Sequence, residues 1–386
     1  MSFEMIDNQV DGAVIKVVGV GGAGGNAVNH MINRGVQGVE FIAVNTDRQA
    51  LKRSLATTVI QLGDAGLGAG ANPSAGRSAC EKEREYVKAA LTGANMVFIT
   101  AGMGKGTGTG ASPVVAAVAK EMGILTVGVV TKPFDFEGNK KMRIADDGID
   151  QLVEHVDSLI VVLNQKLFDV MDEDASLEDA FRRADDVLHN AVAGIAEIIN
   201  VPGLVNVDFA DVQTIMSEQG KAMMGIGEAS GLDRARLAAE QAVASPLLDG
   251  VDLQGARGVI VNITASRSLK LRETNEVINT IKQFCADDAT IIHGTVYEDS
   301  MAESLRVTVV ATGIGARSKA RKPQLVQQAM QATGTHDSVG GSAPYSEFDK
   351  PAVWRTARGA SAQVAALEEK GVDRFDIPAF LRKQAD

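Results

Sequence analysis

Aromatic residues are scarce in this chain: twelve Phe, three Tyr and one Trp make up 4% of 386 residues. A core built with so few rings must come from Val, Ile, Leu, Ala and Gly, as in layered α/β proteins, and 45% hydrophobic content is ample for one. Cysteine is nearly absent. Cys80 and Cys285 stand alone without C-x-x-C spacing, which fits reduced thiols in a cytoplasmic protein. The five histidines show no H-E-x-x-H or other ligand spacing, so no structural metal is implied. No run approaches the roughly 18 apolar residues of a membrane span, and the first residues lack the basic and apolar regions of a signal peptide. Positive charge is also in short supply. The net charge is −11; with eight basic against five acidic residues over 316–371 and three of each after that, residues 1–315 carry −14. So acidic a body is a poor nucleic-acid binder and is repelled by an anionic membrane surface, which excludes direct membrane insertion as well.

Glycine, by contrast, is abundant at 40 residues, and much of it is concentrated. Residues 102–110 read Gly-Met-Gly-Lys-Gly-Thr-Gly-Thr-Gly after the apolar run 95–100 and before an apolar helix-like stretch, 113–122. A backbone with few Cβ atoms can turn successive N–H groups around an anion, and a helix behind it adds its positive end. This is not a Walker A loop, because no Gly stands five residues before Gly104-Lys105 and no Ser or Thr follows Lys105. A flexible linker is the plain alternative, but linkers seldom join a buried-type strand to an apolar helix.

A second glycine loop, Gly-Val-Gly-Gly-Ala-Gly-Gly-Asn at 19–26, follows the β-branched run 13–20. Alone it reads as G-x-G-x-x-G and points to a dinucleotide-binding unit. Two features argue against nicotinamide. The next strand, 39–45, ends in Asn45-Thr46-Asp47, an amide where an acidic ribose ligand is expected. A third glycine-rich stretch also spans 63–73. Several loops converging on one ligand suit a triphosphate better than a pyrophosphate.

Strand-like runs at 13–20, 39–45, 57–62, 95–100, 124–131 and 157–163 alternate with helix-like segments near 24–34, 75–91, 110–122 and 140–155, which predicts a parallel, doubly wound sheet. Residues 176–200 open on a capping box, Ser176 with Asp179, and place Leu177, Ala180, Phe181, Ala184, Leu188, Val192 and Ile195 at helical spacing, the mark of a long buried helix. A second α/β domain follows, with strands at 257–264, 289–296 and 304–311 and a helix at 274–285. Residues 316–371 lose periodicity and read as a disordered linker. The tail, 372–386, gathers Phe375, Ile377, Phe380 and Leu381 behind Asp376 as N-cap and Pro378 in the first turn, a motif suited to a partner's groove or else a frayed terminus.

Taken together, these motifs resemble the FtsZ family, the bacterial tubulin-like cell-division GTPases. The resemblance covers residues 14–315 and resumes in the tail. It rests on the two glycine loops, Asn45-Thr46-Asp47, Gly-Ala-Gly-Ala-Asn-Pro at 68–73, Thr-Lys-Pro-Phe at 131–134, Asn-Val-Asp-Phe-Ala-Asp at 206–211 and Asp-Ile-Pro-Ala-Phe-Leu-Arg-Lys-Gln at 376–384. It implies a flexible segment 1–12, a Rossmann-type GTP-binding domain 13–175, a central helix and connection 176–204, a second α/β domain 205–315 carrying the catalytic loop, the linker, and a tail that binds membrane-adaptor and regulatory proteins through Asp376, Ile377, Pro378, Phe380 and Leu381. GTP or GDP would contact Gly21, Gly22, Ala23, Gly24, Gly25 and Asn26, then Gly104, Gly106, Thr107, Gly108, Thr109 and Gly110, with Thr131, Glu137 and Lys141 near ribose and phosphates. Asn164, Phe181 and Asp186 would hold the guanine, whose N1–H and N2–H₂ donors suit a carboxylate.

By helical spacing alone, Phe181 is a core residue and Asp186 a solvated helix face; only the resemblance reverses this. Asp208 and Asp211 read alone as capping residues for a helix starting near Ala210. The resemblance assigns them, with Asn206, to the neighbouring subunit's site, where they polarise water and help hold Mg²⁺. Hydrolysis would then be tied to a homopolymer of head-to-tail protofilaments, cytoplasmic and recruited to the inner face of the membrane at the division site.

The chain departs from the family at Lys105, where the loop normally carries another Gly. If that position needs φ > 0, the lysine costs on the order of 1–2 kcal/mol and impairs assembly or turnover, leaving a scaffold that binds GTP but barely hydrolyses it. Alternatively its ammonium reaches the phosphates, or it points to solvent. Smaller departures are Lys141, where many relatives have Arg, and Ser266-Arg267-Ser268.

Overall fold

The computed structural model describes residues 12–168, 171, 174–201, 207–217, 220–248, 256–286 and 288–314. Asn206, most of the N-terminal segment, the linker and the tail with Asp376, Ile377, Pro378, Phe380 and Leu381 lie outside the described residues.

Ten strands form one sheet: β1 Ile15–Val20, β2 Val39–Asn45, β3 Thr58–Gln61, β4 Met96–Gly102, β5 Leu125–Lys132, β6 Ser158–Leu163, β7 Gly220–Ser230, β8 Gly258–Ala265, β9 Thr290–Tyr297 and β10 Ser304–Ile314. Their spatial order is β3-β2-β1-β4-β5-β6-β7-β10-β8-β9. The first six pair in parallel; the near-continuous burial of β1, β2, β4, β5 and β6 is what a sheet covered on both faces demands, while β3 at the edge leaves Thr58 and Val59 exposed. Chain order reverses between β1 and β4, so the crevice at their carboxyl ends is the topological switch point. Both glycine loops follow these two strands.

Eleven α-helices run among the described residues: α1 Gly21–Asn33, α2 Arg48–Lys52, α3 Pro73–Lys82, α4 Arg84–Leu91, α5 Thr107–Glu121, α6 Asn139–Val153, α7 Asn164–Leu167, α8 Leu177–Asn200, α9 Phe209–Met216, α10 Arg234–Val243 and α11 Leu271–Lys282. The segment read as one helix over 75–91 is broken at Glu83 into α3 and α4. Both α1 and α5 start about three residues earlier than expected, inside the glycine loops themselves.

β7 was not legible as a strand, because Gly225 and Gly227 weaken the pattern. The structure gives the reason for them. A Cβ on Gly225 would strike the carbonyl of Ala242, and one on Gly227 the carbonyl of Ala238, so the glycines let the Ala-rich α10 lie directly on the strand. β7 pairs in parallel with β6 over Ser158–Ile160, and antiparallel with β10, which makes the second α/β region continuous with the first through one sheet.

α8 fixes the geometry that matters most. Ser176 Oγ accepts from the Asp179 N–H (3.1 Å) while Asp179 accepts from the Ser176 N–H (3.2 Å), the expected capping box. At 1.5 Å per residue its 24 residues run about 36 Å. At the far end Asn200 Nδ2 donates to the carbonyls of Ala13 (2.8 Å) and Gly38 (2.7 Å), which immediately precede β1 and β2. The helix therefore crosses the sheet from its carboxyl edge to its amino edge. α9 lies at the amino edge too. Thr312 Oγ1 donates to the carbonyls of Ile215 (3.0 Å) and Gly258 (3.3 Å), and Gly258 begins β8, which runs in the same direction as β6.

Candidate functional site

A cavity of about 490 Å³ opens at the switch point, a size suited to a mononucleotide. Its floor is made by the amino ends of α1 and α5. Neither helix has a side-chain cap, and neither has an acidic residue in its first turn. Two sets of orphan N–H groups and two positive helix ends therefore face the cavity without a side-chain cap or a first-turn carboxylate of their own, the condition for binding an anion. Gly21 (φ +76°) and Gly104 (φ +99°) make the turns that bring these ends together. A Cβ on Gly21 would stand 2.8 Å from the Gly108 nitrogen, so the two loops touch.

Gly106, Gly108 and Gly110 serve proximity rather than φ. A Cβ on Gly106 would lie 2.8 Å from Ala69 Cβ and 2.9 Å from the Asn72 nitrogen, and one on Gly110 would strike the Pro73 carbonyl. They allow α5 to pack against α3 and the third glycine-rich stretch, from which Gly68, Ala69 and Ala71 line the cavity. The loop is braced by Gly104 N–H to Thr109 Oγ1 (2.9 Å) and by Thr46 Oγ1 with Thr107 Oγ1 (2.6 Å).

Of the residues expected at the ligand, Gly22, Ala23, Asn26, Gly106, Thr107, Gly108, Thr131, Glu137, Asn164 and Phe181 line this cavity. The others stand behind it. Gly21 and Gly25 border a smaller adjoining hollow of about 350 Å³, and Gly24 packs under the Thr100 carbonyl. Gly104, Thr109 and Gly110 shape the loop from the rear. Lys141 is paired with Glu137 (3.1 Å), whose other oxygen accepts the Phe134 N–H (3.2 Å).

Asp186 requires correction. Its carboxylate accepts from His30 Nε2 (2.8 Å) and Arg34 Nη2 (2.7 Å) and does not border the cavity. Burial raises its pKa, but the Arg34 and His30 hydrogen bonds outweigh this and hold it below the usual carboxylate range. It lines a second cavity of about 550 Å³ between α8 and β7, larger than the first but without a glycine loop. The carboxyl facing the nucleotide-sized cavity is Asp185. On α8, Phe181, Ala184, Asp185 and Leu188 are i, i+3, i+4 and i+7 and share one face, whereas Asp186 at i+5 is turned away. That spacing was the signal available in the sequence. Burial pushes Asp185 up to about 6, with His30 lowering and Asp186 raising it further, and it has no hydrogen bond to any described residue.

Phe181, expected in the core from spacing alone, is 42% exposed and forms a cavity wall, held edge-on by the fully buried ring of Phe134 (centroids 5.5 Å apart). Leu177 is exposed as well. Asn164, which lines the cavity with Phe181, has its Oδ1 buried without a partner among the described residues, an acceptor awaiting a donor. A carboxylate, a free amide oxygen and an aromatic face at one end of the cavity, with an anion cradle at the other, fit a guanine nucleotide.

Lys105 does not have the left-handed backbone that would have strained it; Ala71 and Ala302 are the non-glycine residues with positive φ among those described. It is exposed and lines the cavity.

Asp208 and Asp211 are exposed at the start of α9. Asp208 occupies the N-cap position, yet its side chain caps nothing. Both lie at the amino edge, across the length of α8 from the cavity. No cluster of three or more candidate metal ligands occurs among the described residues.

The family model described as Tubulin/FtsZ family, GTPase domain, matches residues 14–172, and that of the FtsZ family, C-terminal domain, matches 220–315. The chain is 55% identical to the cell division protein FtsZ of Pseudomonas aeruginosa and 53% identical to that of Azotobacter vinelandii, each aligned over all of both chains. Among solved structures, an empty FtsZ dimer from M. jannaschii superimposes with a TM-score of 0.76 at 44% identity, covering 79% of this chain and 89% of that one. CetZ2 from Haloferax volcanii, at 20% identity and a TM-score of 0.66, shares the fold.

Proposed function

Because the chain belongs to the Tubulin/FtsZ family, we propose that it is a self-assembling GTPase of bacterial cell division. It forms head-to-tail protofilaments and hydrolyses GTP to GDP and phosphate where two subunits meet. The observation that supports this reading is the separation of two chemically complementary features. The anion cradle lies on the carboxyl edge of one continuous sheet, and two carboxylates without a partner among the described residues lie on the amino edge. Within one chain they are about a helix length apart, so a hydrolytic site that uses both needs two chains stacked in the same orientation. A heterologous contact of this kind does not close, and it builds a filament.

The backbone N–H groups at the starts of α1 and α5 hold the phosphates. Asp185 and Asn164 accept the guanine N1–H and N2–H₂ donors, and Phe181 covers the base. Asp208 and Asp211 of the next subunit orient and polarise the water that attacks the terminal phosphorus as its bond to GDP breaks, and Asn206 orients the terminal phosphate. Mg²⁺ arriving with the nucleotide would neutralise charge on the phosphate oxygens, with Asp208 and Asp211 in reach of it only in trans. The protein acts in the cytoplasm, in the ring at the division site, with the tail 372–386 engaging membrane-adaptor proteins. No helix among the described residues is long and apolar enough to cross a membrane.

Phosphate release from GTP, measured against protein concentration, tests the reading. A threshold followed by a linear rise is expected of a site completed between subunits. A constant rate per chain down to the lowest concentration would refute it.

A further inference from the structure

Lys105 stands out in the cavity for its charge. Three carboxylates line the cavity, those of Asp47, Glu137 and Asp185, and Lys105 is the one cationic side chain among the described lining residues. Lys141, which the resemblance places near the phosphates, is tied to Glu137. Lys105 makes no hydrogen bond or ion pair with any described residue, and its backbone is not left-handed, so its side chain is neither committed nor strained. It stands between Gly104, whose turn is fixed by the bond to Thr109, and Gly106, where α5 begins. Its stem therefore starts at the rim of the phosphate cradle. A triphosphate entering this cavity meets helix ends and backbone N–H groups, but no other side-chain cation among the described lining residues.

From this arrangement we infer that Lys105 is a phosphate ligand of this chain, an ammonium that binds the outer phosphates and favours the triphosphate over shorter nucleotides. The inference rests on the GTPase reading above and adds to it a residue where the family resemblance expects glycine. A lysine can do this as a mobile point charge, without the planar geometry an arginine requires. Being exposed, it acts through water-screened contact, so the effect is moderate and falls with ionic strength.

The test is equilibrium binding of GTPγS, GDP and GMP to the full chain below its assembly concentration, for the parent, Lys105→Gln and Lys105→Arg, at low and high salt. Lys105→Gln is expected to lose about tenfold in GTPγS affinity at low salt, less for GDP, and under about twofold for GMP. Lys105→Arg should retain most of the affinity, and the gap between parent and Lys105→Gln should narrow at high salt. Equal affinities of parent and Lys105→Gln for GTPγS would overturn the inference while leaving the GTPase reading intact. An equal loss for all three nucleotides would also overturn it, since that would mark a distorted cradle rather than a missing charge. Failure of the parent to bind any guanine nucleotide would overturn the GTPase reading and this inference with it.

Discussion

Replacing Asp185 by Asn isolates a half-buried cavity carboxyl that has no partner among the described residues. Burial moves its pKa to about 6 from 3.8. Between those values the folded chain holds a proton that the unfolded chain has released. The stability linked to it is therefore fully present below about pH 4 and lost as pH rises through about 6. At pH 7.5 the ionised group costs the folded chain about 3 kcal/mol, an upper figure because water reaches part of it. Asn keeps the shape and drops the charge. Asp185→Asn should thus stabilise the nucleotide-free protein by about 1–3 kcal/mol at pH 7.5 and by about half as much at pH 5. Urea unfolding at both values reads this directly, provided the denaturant slope is unchanged.

The same group links nucleotide binding to pH. Guanine donors favour the ionised carboxylate, so binding below about pH 6 must expel its proton and weakens by up to about tenfold per pH unit. The terminal phosphate titrates in the same range, so the informative quantity is the difference between parent and Asp185→Asn, in which only the side chain's share is removed. A shallower pH profile for Asp185→Asn is expected. Identical profiles, together with a stability change that does not depend on pH, would refute the assignment of Asp185 to the base.

Two further substitutions test the scaffold. Gly104→Ala forces a Cβ to within 2.7 Å of Pro133 Cγ and 2.8 Å of the Lys141 carbonyl at φ +99°, and should cost about 2–4 kcal/mol of stability and nearly all nucleotide affinity; a melting point like the parent's would contradict this. Arg234→Ala removes the partner of Glu273 (2.7 and 3.1 Å) and the donor to the Glu303 carbonyl (2.9 Å), and should cost about 3–5 kcal/mol in denaturant unfolding, with Arg234→Met plus Glu273→Leu recovering part of it.

Most of the parallel half of the fold was readable because β1, β4 and β5 are buried on both faces and so appear as aliphatic runs, β1 and β4 leading straight into glycine loops. α8 was readable from Ser176 with Asp179 and its long apolar stripe. Side-chain direction around a helix was less accessible. Asp185 and Asp186 are adjacent carboxylates on one helix; the 100° between them puts one beside the cavity and the other against His30 and Arg34, and the choice requires counting from Phe181. The glycines of 106–110 suggest conformational freedom in the sequence, whereas in the fold they allow another backbone to come close, as do Gly225 and Gly227 of β7, contacts made with residues outside their own elements. Ser266-Arg267-Ser268, a local departure from the family, is likewise explained by distant partners. Ser266 Oγ donates to the Ala302 carbonyl (2.6 Å), Ser268 Oγ accepts from Arg234 (3.1 Å), and Arg267 lies over the Tyr297 ring.

The charges on the two edges constrain how the proposed filament contact can work. The amino edge presents Asp208 and Asp211, and the carboxyl edge holds Asp47, Glu137 and Asp185 even before a triphosphate is added. Like charges at such an interface repel by up to about 1 kcal/mol per close pair in water, so electrostatics alone would keep subunits apart. Apolar surface offers the compensating attraction. Leu67, Phe136 and Phe168 are 89%, 56% and 44% exposed, and all three lie in the segments that follow β3, β5 and β6 at the carboxyl edge, Phe136 in a short 3-10 turn and Phe168 at the C-cap of α7. On the proposed reading, association balances apolar burial against anionic repulsion. A cation brought with the nucleotide, and the ammonium of Lys105, shift that balance toward contact. Loss of the terminal phosphate and its counter-ion shifts it again. A contact poised in this way responds to the chemistry it houses, because the charge that is hydrolysed is also a charge at the interface.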